Sequence, residues 1–123
     1  MDTNTLTNKI IGCAIEVHRS PGPGLLESAY EECLAFELRN AGLHIERQVP
    51  APVVYTDIHL SCGYRIDILV ENSVILELKR VDVLATVHEA QILTYTRFAH
   101  KTIGLLINFN VPLLKVGIKR YRI

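Results

Sequence analysis

Between Arg65 and Lys79 the chain reads RIDILVENSVILELK: two apolar runs rich in β-branched residues, separated by the turn-formers Glu71, Asn72 and Ser73. The pattern predicts a β-hairpin. Successive side chains on a strand alternate between faces, so Ile66, Ile68 and Val70 share one face, and Arg65, Asp67 and Leu69 share the other. The second strand divides in the same way, with Val74, Leu76 and Leu78 against Ile75, Glu77 and Lys79. A three-residue loop pairs Val70 with Val74, sets Asp67 opposite Glu77 and sets Arg65 opposite Lys79. A two-residue loop would instead mix charge into the apolar face, so the pattern favours the first register. It brings two carboxylates face to face, roughly 5 Å apart at Cβ, where like charges repel.

Around the hairpin the apolar period changes. Leu6, Ile10, Cys13, Ala14 and Val17 recur at helical spacing, with caps available from Asp2 to Thr5, and predict a helix to about Arg19. The run Pro21, Gly22, Pro23, Gly24 stops it. His18 sits at that helix end, where a satisfied imidazole is expected rather than a ligand. A second helix is predicted from near Gly24 to Gly42, with Leu26, Ala29, Tyr30, Cys33, Leu34, Leu38 and Ala41 as its apolar stripe. Glu46 to Tyr55 reads as a strand that Pro50 and Pro52 confine to a sheet edge. His59 to Val70 reads as the next strand, with a bend at Cys62 and Gly63, so three strands form an antiparallel meander. Thr86 and Glu89 offer a capping box for a third helix to about His100. Ile103 to Phe109 is a short apolar strand, and a right-handed crossover makes it parallel to the Val74 to Lys79 strand. Gly117 to Ile123 would add a strand at the far edge. The expected fold is α/β, a single domain over residues 1–123 with a mixed central sheet flanked by helices.

Composition narrows the function. Lysine plus arginine number 13, as do aspartate plus glutamate, so no global field recruits nucleic acid and any such interaction must be local. Arg97, His100 and Lys101, and the tail residues Lys115, Lys119, Arg120 and Arg122, are basic clusters that serve equally well as solvated surface. Cys13, Cys33 and Cys62 are odd in number and lack a CxxC pair, which points to reduced thiols in a cytoplasmic protein and against structural zinc. The first two fall on apolar helix faces and read as core. No segment approaches the ~18 apolar residues of a membrane span, and the N-terminus has no basic leader pattern, so a soluble, unexported protein is expected.

The opposed acids are the chemical signal. A solvated charged face is the commoner fate of a half-buried hairpin, but Leu69 and Ile75 share the face with Asp67 and Glu77 and imply that it is covered. Covered carboxylates without partners are costly, and two of them beside a backbone carbonyl suit a hard cation such as Mg²⁺ or Mn²⁺. Glu27, in the first turn of the second helix, is either a dipole-stabilising residue or a third acid. Gln91 and Tyr95 lie one turn apart on one helix face, Gln91 being either helix surface or part of a site.

The succession of helix, three-strand meander, helix and strand, with Asp67 and then Glu77, Leu78 and Lys79, resembles the PD-(D/E)XK nuclease superfamily. Gly24 to Tyr30, reading GLLESAY, is similar to the signature of its GxxExxY family, and Gln91 with Tyr95 to its QxxxY motif. Ile66 stands where the superfamily's name has proline. The resemblance implies a restriction-endonuclease-like αβββαβ core and a metal-dependent nuclease acting on DNA or RNA. It implies that Asp67, Glu77, the Leu78 carbonyl and Glu27 hold Mg²⁺ or Mn²⁺, that Lys79 and Gln91 act with them, and that Arg65, Tyr95 and Tyr30 face the substrate. The alternative is a catalytically silent nucleic-acid- or protein-binding module on the same fold. Homodimerisation would lengthen a binding groove, though no residue marks an interface.

Overall fold

The computed structural model describes residues 1–60 and 63–123. Among the described residues, three α-helices, seven strands and a short 3-10 turn (Leu114–Gly117) before the last strand follow the order α1 (Thr3–Arg19), α2 (Glu27–Asn40), β1 (Ile45–Pro50), β2 (Val54–Tyr55), β3 (Ile58–His59), β4 (Arg65–Val70), β5 (Val74–Lys79), α3 (Thr86–Phe98), β6 (Ile103–Asn108) and β7 (Ile118–Arg122). Five strands make one sheet in the order β1-β4-β5-β6-β7. β1, β4 and β5 form the antiparallel meander, β6 runs parallel to β5 across the α3 connection, and β7 closes the far edge antiparallel to β6. This is the expected restriction-endonuclease-like mixed sheet flanked by helices, with β1 at the edge where its proline belongs.

Each face of the sheet has its own core. Leu6, Ile10 and Ala14 of α1 and Tyr30, Leu34 and Leu38 of α2 pack with Ile68, Val70, Val74, Leu76 and Leu78. On the opposite face Ile92 and Tyr95 of α3 cover Leu69, Ile75 and Leu106. Both faces are therefore dry, and each fully buried Leu or Ile contributes about 1.5–3 kcal/mol. Ile66, expected to share a face with Ile68 and Val70, joins the α3-side cluster at the end of β4, where pairing with β5 has ceased.

The helix starts follow local hydrogen bonding. Asp2 Oδ1 accepts the Thr5 N–H at 2.7 Å and opens α1 as expected. α2 begins at Glu27 rather than near Gly24, because Leu26 is still extended with ψ 154°. The capping box expected from Thr86 and Glu89 does not form: Ala85 is the cap, its N–H donates to His88 Nδ1 at 2.9 Å, and Glu89 instead accepts from Tyr121 and Lys119. His18 is satisfied by donating Nε2–H to the Val111 carbonyl at 2.8 Å, a distant loop rather than its own helix end.

Three further expectations are corrected. The strand predicted over residues 46–55 stops at Pro50, and residues 54–59 form a separate two-stranded hairpin, since Pro50 and Pro52 supply no N–H to a continuing ladder. The strand predicted from His59 begins only at Arg65; Gly63 is left-handed at φ 82°, while Cys62 lies outside the described residues. Cys33, assigned to the core, is exposed, whereas Cys13 is half-buried against it.

Candidate functional site

The β4–β5 hairpin has the expected register, with Val70, Leu69 and Ile68 paired to Val74, Ile75 and Leu76. Glu71 and Asn72 are both left-handed, at φ 51° and 49°, the conformation of a tight hairpin turn. For Glu71, a residue that seldom adopts it, exchange with His44 holds the turn: Glu71 N–H donates to the His44 carbonyl at 2.8 Å, and His44 N–H donates to Glu71 Oε2 at 2.6 Å.

Beyond Ile68 and Leu76 the two strands part. The ladder stops just before Asp67 and Glu77, and side chains replace it. Leu78 N–H, which a continued ladder would direct to the backbone of β4, donates to Asp67 Oδ2 at 2.8 Å. Asp67 N–H approaches Glu77 Oε1 at 3.4 Å. The two acids thus lie across the gap that they open, while Arg65 pairs with Pro50 of β1 instead of facing Lys79.

Burial governs the charge of the pair. Glu77 is 2% exposed, and desolvation followed by repulsion from Asp67 pushes its carboxyl up to about 9. Asp67 is also raised, first by desolvation and then by the charges of Glu31 and Glu27, against the opposing Leu78 N–H and Lys79. Among the described residues neither acid forms an ion pair. Lys79, half-buried at the end of β5, pulls both carboxyls down but makes no hydrogen bond there. The pair is short of positive charge.

Other predicted residues take differing places. Glu27 is exposed at the first position of α2, near enough to act on Asp67 through space. Gln91 donates to Tyr95 Oη at 3.1 Å, and Tyr95, 4% exposed, lies close enough to Glu77 and Asp67 for their charges to raise its hydroxyl pKa behind the larger effect of burial. Tyr64 meets Tyr95 edge-on, with ring centroids 6.2 Å apart. Arg65 is exposed at the mouth of β4. Tyr30, expected at the substrate, is instead fully buried: it stacks on Phe109 at 4.3 Å, donates to the Gly22 carbonyl and accepts the Leu25 N–H at 3.1 Å. Its hydroxyl fastens the Pro21–Gly24 loop and presents no face to a ligand.

Residues 4–121 match the family model of the PD-(D/E)XK nuclease superfamily. The chain belongs to this superfamily. No curated protein and no solved structure matches it. PD-(D/E)XK nucleases generally use divalent metals. The residues here fit such an ion in charge and type, as a buried and a half-buried carboxyl that form no ion pair among the described residues, beside the Leu78 backbone. No group of three or more His, Cys, Asp or Glu side chains is assembled for a metal among the described residues. A cation held by two carboxylates and its own waters, as Mg²⁺ commonly is, requires no third.

Two residues of this superfamily member reach the acids without having been singled out in the sequence. Glu31, one helical turn after Glu27, is 8% exposed and accepts from Arg47 and Gln48; Gln48 also reaches Asp67. The i, i+4 spacing from Glu27 was a usable signal for Glu31. Gln48 carried none beyond its place in a polar stretch. Among the described residues no helix is long and apolar enough to cross a membrane.

Proposed function

We propose that this chain is a metal-dependent nuclease of the GxxExxY family, hydrolysing phosphodiester bonds of DNA or RNA. The observation that carries the reading is the pair formed by half-buried Asp67 and buried Glu77 where β4 and β5 part, with Lys79 beside them and, among the described residues, no ion pair to either acid. A pure binding surface has no use for two opposed, desolvated carboxylates.

Asp67, Glu77 and the Leu78 carbonyl would hold Mg²⁺ or Mn²⁺, with Glu27 joining through water. When bound, the ion supplies Lewis-acid activation of the phosphate and of a water. Lys79, at the end of β5 beside the acids, would stabilise charge that develops on the phosphate oxygens. Arg65, exposed at the strand mouth, would meet the nucleic-acid backbone. Gln91 fixes the Tyr95 hydroxyl at the back of the site and keeps an amide directed to that wall. Tyr30 serves the fold, through the loop ahead of Glu27.

The test is incubation of the purified protein with single- and double-stranded DNA and RNA in Mg²⁺ or Mn²⁺. Cleavage that disappears in Glu77→Ala and in Lys79→Ala supports the assignment. Cleavage that persists in both variants overturns it, and metal-independent binding without cleavage would establish the silent module instead.

A further inference from the structure

The strand β1 holds an outlier opposite the acid pair. Arg47 pairs with Ile68 and Val49 with Ile66, so Gln48 lies across from Asp67. Gln48 is left-handed at φ 51°. A side chain with a Cβ adopts that conformation at a cost, which persists only where the surroundings over-determine it. If a bend were all that was needed, glycine or asparagine would meet it with less strain.

The surroundings of the Gln48 amide are specific. Glu31 Oε2 accepts from Arg47 Nε and Nη2, both at 3.0 Å, and Glu31 Oε1 accepts from Gln48 Nε2 at 2.7 Å. An acceptor on that side requires the nitrogen of the amide, not its oxygen, to face Glu31. The same nitrogen reaches Asp67 Oδ1 at 3.5 Å, while Leu78 N–H holds Asp67 Oδ2 at 2.8 Å. Among the described residues each oxygen of Asp67 thereby has one donor, which leaves a lone pair on each for a cation.

We infer that Gln48 is a positioning residue: anchored by the Arg47–Glu31 ion pair, its amide sets the rotation of the Asp67 carboxylate for a divalent cation. The strained backbone is what brings a glutamine of this length between α2 and β4. The amide also separates Glu31 from Asp67 by a neutral donor, so that the acid of α2 supports the site without competing for its cation. This role rests on the proposed function of Asp67 and Glu77.

Its test uses Mn²⁺ affinity of the full chain, read by electron paramagnetic resonance, beside thermal unfolding of the metal-free protein. Gln48→Met keeps the length and removes the donors; Gln48→Asn keeps an amide, suits the left-handed backbone and is too short to bridge. Both are expected to weaken Mn²⁺ binding by about 10–100-fold, as loss of a residue orienting a metal ligand does. The metal-free unfolding midpoint should fall modestly for Gln48→Met, which removes the donor to buried Glu31, and less for Gln48→Asn, which suits the left-handed backbone, in both cases by much less than the loss of Mn²⁺ affinity. Wild-type Mn²⁺ affinity in both variants, or a loss matched by an equal fall in the unfolding midpoint, would overturn the positioning role alone. Equal Mn²⁺ affinity in wild type and Asp67→Asn would overturn the site and the role of Gln48 with it.

Discussion

Glu77 is costly to the fold, and the proposed function makes it necessary to the site. Its carboxyl is buried, faces another acid and is held protonated near neutral pH by both. Glu77→Gln imitates that neutral form in shape, so metal-free stability at pH 7 should be retained while cleavage falls by about 10²–10³-fold or more, the scale of losing one electrostatic element of an active site. Circular dichroism melting beside a nuclease assay checks both halves, and equal activity would remove Glu77 from the chemistry. Tyr30→Phe should do the reverse. It removes the hydroxyl that bonds Gly22 and Leu25, costing about 1–2 kcal/mol in denaturant titration, with the cleavage site itself untouched. Asp67, Glu77 and Lys79 were legible because the period of a strand is two and leaves little freedom about which residues share a face. Helical spacing put Tyr30 on the apolar stripe, where it lies, and only the resemblance set it at the substrate; Glu31 was not legible, because spacing gives the stripe but not the depth of an acid one turn from Glu27.

At the level of elements, the hairpin register followed from the requirement that apolar residues stay on dry faces, and the parallel β6 from the handedness of the α3 crossover. The parting of β4 and β5 could not be read from periodicity, because a continued ladder satisfies the same pattern; only Asp67 capturing the Leu78 N–H reveals it. The prolines likewise announced an edge without showing that the chain would leave the sheet to form β2 and β3. α3 is set against the sheet by a tight contact. A Cβ on Gly104 of β6 would lie 2.9 Å from Ile92 Cγ1 and 2.9 Å from Thr96 Oγ1. Gly104→Ala must therefore displace the Ile92 and Thr96 side chains or the helix that carries them, and overpacking of this kind costs about 1–3 kcal/mol. Since α3 carries Gln91 and Tyr95 against the acid pair, the same variant should lower cleavage as well as the unfolding midpoint. An unchanged midpoint would mean that α3 is not held by this contact.

For the molecule as a whole, the balance of 13 basic and 13 acidic residues leaves little self-repulsion near neutral pH, so the pH dependence of stability reports on the buried acids. Glu77 ionises near its ordinary 4.5 when unfolded and at about 9 when folded. Between those values the folded protein keeps a proton that the unfolded chain has released. Stability then falls as pH rises. The contribution is complete below pH 4.5, declines through neutrality and is gone above about pH 9, with Asp67, also raised, acting in the same sense from its lower starting point. A divalent cation needs the deprotonated acids, so its affinity must increase with pH over the same window, and it stabilises only the folded state. Thermal melts between pH 5 and 9 should therefore show a falling midpoint without metal and a flattened or reversed trend in saturating Mg²⁺. Glu77→Gln should remove most of the metal-free slope, because its side chain has no proton to lose. A metal-free midpoint that rises from pH 5 to 8, or a slope that survives Glu77→Gln, would show that Glu77 is ionised in the folded protein and that the acid pair is neutralised by other means.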